Sequence, residues 1–339
     1  MQQNEKFSLA KEFLRKRTIF SLALSLFFIY LFLSHTTVGE IARHMKKVDP
    51  LFLILAFLSH YLSYVIRGDR WRRMIFRNGF SGGAATLAGI IFLFQSINCL
   101  LPGKVGDFYG AHLMKLNFSL SRSFSLGSIF LWRVLDFMIL MAFVVVTAFT
   151  LFGNRIPLEL IFAIKVAGLF LLVLLALTGL FLRYHTWLTI SFKSKRIKRL
   201  IASFRGGLSL NAKIIPSLLV TTTIIWFLEA GRFFFVCKSM AVEVNLIPVV
   251  FITLSAALFT AVPFTPSGLG AVELGMLRLL ALVGIGNPVA YPLIIWDRFI
   301  AHWSQIFLGI VLIVFSKTLN LKIWHFQPAG GEGSSTTGS

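Results

Sequence analysis

Leu100-Leu101-Pro102-Gly103-Lys104-Val105-Gly106-Asp107 interrupts one long apolar run, and Phe264-Thr265-Pro266-Ser267-Gly268-Leu269-Gly270 interrupts another. The first run starts near residue 84 and resumes as a short helix-like piece; the second starts near 246 and resumes to about Leu282. Proline removes a backbone donor and glycine loosens the chain, so each stretch breaks a helix. At membrane depth a break survives only where protein or a water-filled cavity surrounds the freed backbone groups. Each segment therefore reads as a re-entrant helical hairpin or a broken helix.

Composition supplies the membrane. Of 339 residues, 57% are hydrophobic and 14% charged, with 36 Phe and a net charge of +20. A soluble domain carries about 45–50% apolar and roughly 25% charged residues. Its surface could not absorb this excess, which excludes a disordered chain, a disulfide scaffold and a soluble nucleic-acid binder. Cys99 and Cys237 sit in apolar runs and read as small buried hydrophobes. The seven histidines form no HExxH or paired cluster, so no metal site, cofactor or catalytic constellation is expected.

Besides the two broken segments, apolar stretches near 18–36, 50–66, 124–150, 157–182, 214–237 and 289–315 are long enough to span. The first follows Lys11, Arg15, Lys16 and Arg17. It is trailed by Ser34-His35-Thr36-Thr37 rather than a small-residue cleavage site, so it reads as an uncleaved span. The expected fold is an all-α polytopic membrane protein with six full spans and two re-entrant hairpins. Both termini are then cytoplasmic in an inner membrane. On that topology most of the 33 Lys and Arg lie inside, including Arg67–Arg77 and the 183–213 loop. If one hairpin spanned, the 183–213 cluster would face outward. The expected divisions are a basic segment at 1–17, one transmembrane domain at 18–316 and a flexible Gly/Ser/Thr-rich tail at 317–339.

The 183–213 loop interleaves Lys193, Lys195, Arg196, Lys198 and Arg199 with Ile190, Phe192, Ile197, Leu200 and Phe204. It fits either a surface lying on an anionic leaflet or an ordinary charged cytoplasmic loop.

Segments 50–150 and 214–316 resemble each other at an offset near 165. Arg67 aligns with Arg232, Pro102 with Pro266, Gly106 with Gly270, and Arg133 with Arg298. On the topology above, the second half enters from the opposite side. Inverted repeats with matching broken helices are a transporter pattern whose site lies near the midplane.

Charges at that depth cost about 2.5–3.5 kcal/mol each near the bilayer centre, so they read first as a functional pathway. Arg67, Arg70, Lys104, Arg133, Arg232 and Arg298 are the candidate anion-binding residues. Asp107, Asp136, Glu229, Glu273 and Asp297 are the candidate ion-pair or coupling carboxylates. Asp136 and Glu229 also fit a purely structural role, pinning helices together. Arginine suits phosphate or carboxylate head groups. The helix starts after Pro102-Gly103 and Pro266-Ser267-Gly268 would add free N–H donors, with Gly106 and Gly270 close by. Lys165 and Arg278 are further charges at this depth. Trp71 reads as an interface anchor, and Trp132, Trp296 and Trp303 as protein–protein contacts.

Arg67-Gly68-Asp69-Arg70-Trp71, Leu101 through Asp107, Trp132-Arg133-Val134-Leu135-Asp136 and Thr265 through Glu273 together resemble a known family. It is the transmembrane domain of lysylphosphatidylglycerol synthases and its stand-alone, flippase-like relatives. The family more often has Arg and Glu where this chain has Lys104 and Asp107, with the charge signs kept. The resemblance covers roughly residues 15–316. It implies an inverted-repeat bundle with two re-entrant hairpins and a role in flipping or transporting lipid, either phospholipid or polyprenyl-phosphate-linked. The aminoacyl-transferase domain of the bifunctional members has no room after Lys317, so that activity is expected to be absent.

Three functions remain open. In the first, the chain translocates an anionic lipid, downhill or ion-coupled, since no nucleotide-binding motif is present. In the second, it is a non-catalytic partner of a lipid-modifying enzyme. In the third, it is itself a membrane-embedded transferase. Membrane lipids are the expected partners and nucleic acid is not; association into a homo-oligomer stays open.

Overall fold

A computed structural model of the chain describes residues 16–34, 39, 45, 48–76, 82–261 and 265–315. The basic N-terminal segment up to Arg15, the basic residues Arg43, Lys46 and Lys47, and the tail 317–339 lie outside the described residues. The described chain is helical throughout. α1 is Lys16–Leu33, α2 Pro50–Ile75, α3 Ala84–Leu100, α4 Val105–Phe118, α5 Arg122–Phe152 and α6 Leu158–Ser191. α7 is Lys195–Leu208, α8 Ile215–Ser239, α9 Leu246–Ala261, α10 Ala271–Leu282, α11 Asn287–Arg298 and α12 Ser304–Val314.

The expected polytopic all-α membrane fold holds. Among the described residues, five stretches are long and apolar enough to cross a membrane: α2, α5, α6, α8 with its preceding turn, and α11–α12. α11 and α12 are joined by a π-helical turn, Phe299–Trp303, and form one span. The sixth expected span, near 18–36, is described as α1, 18 residues long. At ~1.5 Å per residue that is roughly 27 Å, just short of a bilayer core.

Helix ends follow local chemistry. Asp49 caps α2 by accepting the Leu51 N–H at 2.8 Å, and Pro50 takes the first helical position, where its missing donor costs nothing. Ser121 caps α5 by accepting the Phe124 N–H at 3.1 Å. The two breaks share one conformational sequence. Leu101 and Thr265, each preceding a proline, are both extended at φ −118°. Two left-handed residues follow each proline: Gly103 and Lys104 in the first break, Ser267 and Gly268 in the second. A left-handed lysine and a left-handed serine are sparsely populated states that only the surrounding packing can hold.

Two apolar cores are present, with a charged layer between them. One gathers the inner faces of α9 and α10 with the C-terminal halves of α5 and α8, and includes Val144, Phe233, Phe251 and Leu280. The other gathers α3 and α4 with the C-terminal half of α2 and the N-terminal half of α5, and includes Trp71, Phe94, Tyr109 and Trp132. α2, α5 and α8 each run from one core to the other, whereas each hairpin contributes to one core alone. The packing is also exchanged. α5, of the first half, lies against α9 of the second hairpin, and α12, of the second half, lies against α3 of the first hairpin. α2 and α8, which carry the matched Arg67 and Arg232, pack along each other.

Two tryptophan expectations are corrected. Trp71 is fully buried; its indole donates to Ser128 Oγ at 3.0 Å and stands edge-on to Trp132. The start of α5 closes over it and removes it from the interface. Trp303 points outward and is half exposed, because the π-turn rotates it away from the bundle.

Candidate functional site

The charged layer is a set of arginine–carboxylate pairs, most of them crossing between elements. Arg133 on α5 makes a two-pronged pair with Asp107, in the first turn of α4, with bonds of 2.8 and 2.6 Å. Arg298 at the end of α11 reaches Glu273, in the first turn of α10, at 2.9 Å. The two pairs are equivalent: an arginine from the following span grips the carboxylate just beyond each break. Asn98 completes the first hairpin, donating to Asp107 Oδ1 at 2.9 Å while its own Oδ1 accepts the Gly106 N–H at 2.8 Å. Glu273 completes the second by accepting the Gly270 N–H at 2.6 Å. At the two helix starts expected to offer free N–H donors, the Gly106 and Gly270 amides are occupied by side chains of the hairpins themselves.

Glu229 joins the halves. Its carboxylate accepts from Ser63 at 2.8 Å and from Arg67 at 3.1 Å, and lies 3.1 Å from His60 Nδ1, all on α2. From its own helix it accepts from Arg232 at 3.3 Å. Arg232 continues to Asp297, bonding both its carboxylate and its backbone oxygen. Arg70 is separate and fully buried. It pairs with both oxygens of Asp136 at 2.6 and 3.2 Å, donates to Thr222 at 2.8 Å and stacks over Trp132. The structural reading of Asp136 thus fits its surroundings, while Glu229 is both a structural hub and part of a cavity wall.

That cavity measures about 350 Å³. Arg67, Lys104, Arg133 and Arg298 line it with Asp136 and Glu229, so four of the six basic candidates converge there. Arg232 lines a smaller neighbouring space of about 60 Å³, shared with Arg298, Asp297 and Thr260. Arg70 lines neither. Phe130, Phe137 and Leu140 of α5, interleaved with Arg133 and Asp136, and Phe170 and Leu174 of α6 give the cavity its apolar lining. Lys104 is distinct. Its ammonium donates to the Thr260 carbonyl at 3.0 Å, so the first break touches the second hairpin. Among the described residues it is the basic candidate that meets a carbonyl rather than a carboxylate. Lys165 and Arg278 face outward, away from the cavity.

Several cavity residues were not singled out from the sequence. His60, Trp226 and Gln305 line it, and their His60 Nε2, Trp226 Nε1 and Gln305 Nε2 atoms are buried without a partner among the described residues. His60 and Ser63 stand seven and four residues before Arg67, on the same face of α2, so helical spacing was the available signal. Asn98 gave none; it sits in an apolar run and gains its role only when the hairpin folds back.

Comparison with known proteins places the chain. The family described as the lysylphosphatidylglycerol synthase TM region matches residues 18–309. A UPF0104 membrane protein of Methanocaldococcus jannaschii is 30% identical over 217 residues, 64% of this chain and 92% of that protein. A UPF0104 membrane protein of Methanothermobacter thermautotrophicus is 20% identical over 303 residues, 82% of this chain and 89% of the other. The glycosyltransferase AglD of Haloferax volcanii is 25% identical over 132 residues, 38% of this chain and 21% of that enzyme. With a match spanning both hairpins and the spans between them, the chain belongs to the lysylphosphatidylglycerol synthase transmembrane-region family.

Proposed function

We propose that the protein translocates an anionic lipid, a phospholipid or a lipid-linked phosphate, across the cytoplasmic membrane. The observation that carries this reading is the mixed lining of the cavity. Arg67, Lys104, Arg133 and Arg298 line it together with Phe130, Phe137, Leu140, Phe170 and Leu174. A phosphate satisfies guanidinium and ammonium groups, while an acyl or prenyl chain satisfies the apolar lining. The carboxylates Asp107, Glu273 and Asp297 hold the arginines when no ligand is bound and are displaced when one arrives. The unpartnered His60, Trp226 and Gln305 atoms add hydrogen-bonding capacity beside the cations.

In the same proposal the two hairpins are re-entrant and enter from opposite faces, as halves of an inverted repeat. In support, each hairpin contributes to one core, the two breaks share a backbone conformation, and each half packs on the other's hairpin. Among the described residues, Arg72, Arg73, Arg122, the α7 cluster and Lys213 gather at the first hairpin's end, which the positive-inside rule makes cytoplasmic.

Reconstitution into liposomes with a labelled anionic lipid tests the function. Scrambling above that of empty vesicles, reduced by Arg133→Ala and by Arg298→Ala, is the expected result. Rates equal to empty vesicles, or unchanged in both variants, would overturn it. A second reading, a membrane partner of a lipid-modifying enzyme, draws on the match to part of a glycosyltransferase. Stable co-purification with such an enzyme, without scrambling, would favour it.

A further inference from the structure

The site just described makes no use of the basic stretch after α6. α6 carries Arg183 and Trp187 on to Ser191, and α7 follows after three residues as a 14-residue helix. Around α7, Lys195, Arg196, Lys198, Arg199 and Arg205 occupy one side, and Ile197, Leu200, Ile201, Phe204 and Leu208 the other.

α7 is fixed in place. A Cβ on Gly127 of α5 would lie 2.3 Å from the Phe204 carbonyl oxygen, and one on Gly207 would lie 2.1 Å from that of Phe124. The two helices therefore cross in backbone contact, which only glycine permits. Ser123 adds a 2.7 Å bond to the Leu200 carbonyl. This docking covers Leu208 and part of the apolar face, but leaves Leu200 half exposed and Ile197 more than a third exposed. α6, which packs against α7 and whose apolar sides face outward along its length, leaves Trp187 and Ile190 at its end exposed as well.

We infer that α7 is an interfacial helix that binds an anionic lipid leaflet. Ile197 and Leu200 sit at the acyl boundary, and Lys195, Arg196, Lys198 and Arg199 reach head-group phosphates. Charge complementarity and the outward apolar sides of the adjoining α6 select lipid over a soluble partner. One consequence rests on the translocation reading. Phe204 of α7 stands 6.3 Å, ring to ring, from Phe130, which lines the cavity, so lipid gathered on α7 lies beside the cavity rim.

The test separates the two ideas by reading lipid contact directly. An environment-sensitive fluorophore is attached at Leu200→Cys in a chain whose native Cys99 and Cys237 are changed to Ser. The protein is placed in vesicles of neutral phosphatidylcholine, or in vesicles with roughly one third phosphatidylglycerol. The expected result is a blue-shifted, lipid-quenchable probe in the anionic vesicles, reverting in high salt as charges are screened. With Lys195, Arg196, Lys198 and Arg199 all changed to Gln, the response weakens about tenfold or more, since each basic residue near an anionic surface favours it by roughly fivefold. The salt arm needs no charge variant, so poor insertion of the Gln chain leaves the inference testable. A probe equally water-exposed in both vesicle types would overturn it and mark the face for a protein partner. A normal lipid response without scrambling would leave α7 as inferred and remove the translocation reading.

Discussion

Arg133 grips Asp107 with both a 2.8 and a 2.6 Å bond, yet more than a quarter of the arginine side chain stays open to the cavity. Arg298 and Glu273 form the corresponding pair 165 and 166 positions later, through one 2.9 Å bond and with the arginine more deeply buried. Each pair closes a hairpin and presents its guanidinium to the same space. On the translocation proposal an incoming phosphate competes with a carboxylate already in place, which neutralises each arginine at rest, leaves Lys104 as the uncompensated cation and keeps a bound anion exchangeable.

Asp107→Asn weakens that competitor while keeping the shape and the Asn98 contacts. Binding of a short-chain anionic lipid should tighten by about tenfold, the scale of one charge-assisted hydrogen bond. Scrambling should slow as release becomes limiting. Equilibrium binding in detergent and liposome rates check the two halves separately; weaker binding by Asp107→Asn would show that the pair is structural alone.

Arg70 should behave differently. It is sealed between Asp136, Thr222 and Trp132 and lines neither cavity. Arg70→Ala leaves Asp136 as an uncompensated charge and should cost about 3–5 kcal/mol. Arg70→Lys should not restore stability, since an ammonium cannot make the two-pronged contact. Arg70→Met with Asp136→Leu should recover most of it. Thermal unfolding in detergent reads all three, and a normal Tm for Arg70→Ala would refute the assignment.

What the sequence made legible was whatever depends on few residues with strong local consequences. Pro102 and Pro266 marked both breaks, because a proline dictates its surroundings whatever the fold. The membrane setting followed from composition, and the matched arginines from spacing. What was not legible depended on distant contact. Arg67 and Arg70 shared a helical face in the sequence, but only packing against α8 and α5 sends one to Glu229 and the cavity and the other to Asp136 and the core. Trp71 looked like an interface residue because it stands in an arginine-rich helix end, and nothing local announced that α5 would cover it.

Gly106 tests how tightly the first hairpin closes. A Cβ there would lie 2.0 Å from the Phe94 carbonyl and 2.7 Å from Asn98 Oδ1. Gly106→Ala should cost about 1–3 kcal/mol and pry the arms apart. Gly103 has open space around its Cβ but a φ of +73°, so Gly103→Ala should cost only about 1 kcal/mol. Denaturation midpoints should rank the variants in that order, and the reverse ranking would mean that the turn, rather than the close contact, governs closure.

Glu229 should show its joining role as non-additivity. Arg67→Ala and Glu229→Gln each remove one side of a shared contact between α2 and α8. Their combined effect on stability should differ from the sum by about 0.5–3 kcal/mol, as for residues in one network. Arg67→Ala combined with Asp136→Asn serves as the comparison, because Arg70, not Arg67, holds Asp136 through a direct bond. A full double-mutant cycle with no coupling between Arg67 and Glu229 would dissolve the hub.

Lys104 offers the cleanest separation of binding from folding. Its ammonium bonds a carbonyl of the opposite hairpin rather than a carboxylate, so removing its charge strands no buried anion. Lys104→Met keeps the length and apolar stem of the side chain while deleting the charge. Stability should change by no more than about 1.5 kcal/mol, the net worth of an ordinary hydrogen bond. Anionic lipid binding should fall by about tenfold or more, as expected for a lost charge-assisted contact in a low-dielectric cavity. A large loss of stability with binding unchanged would make Lys104 a clasp between the two breaks, and would shift the anion site to the three arginines alone.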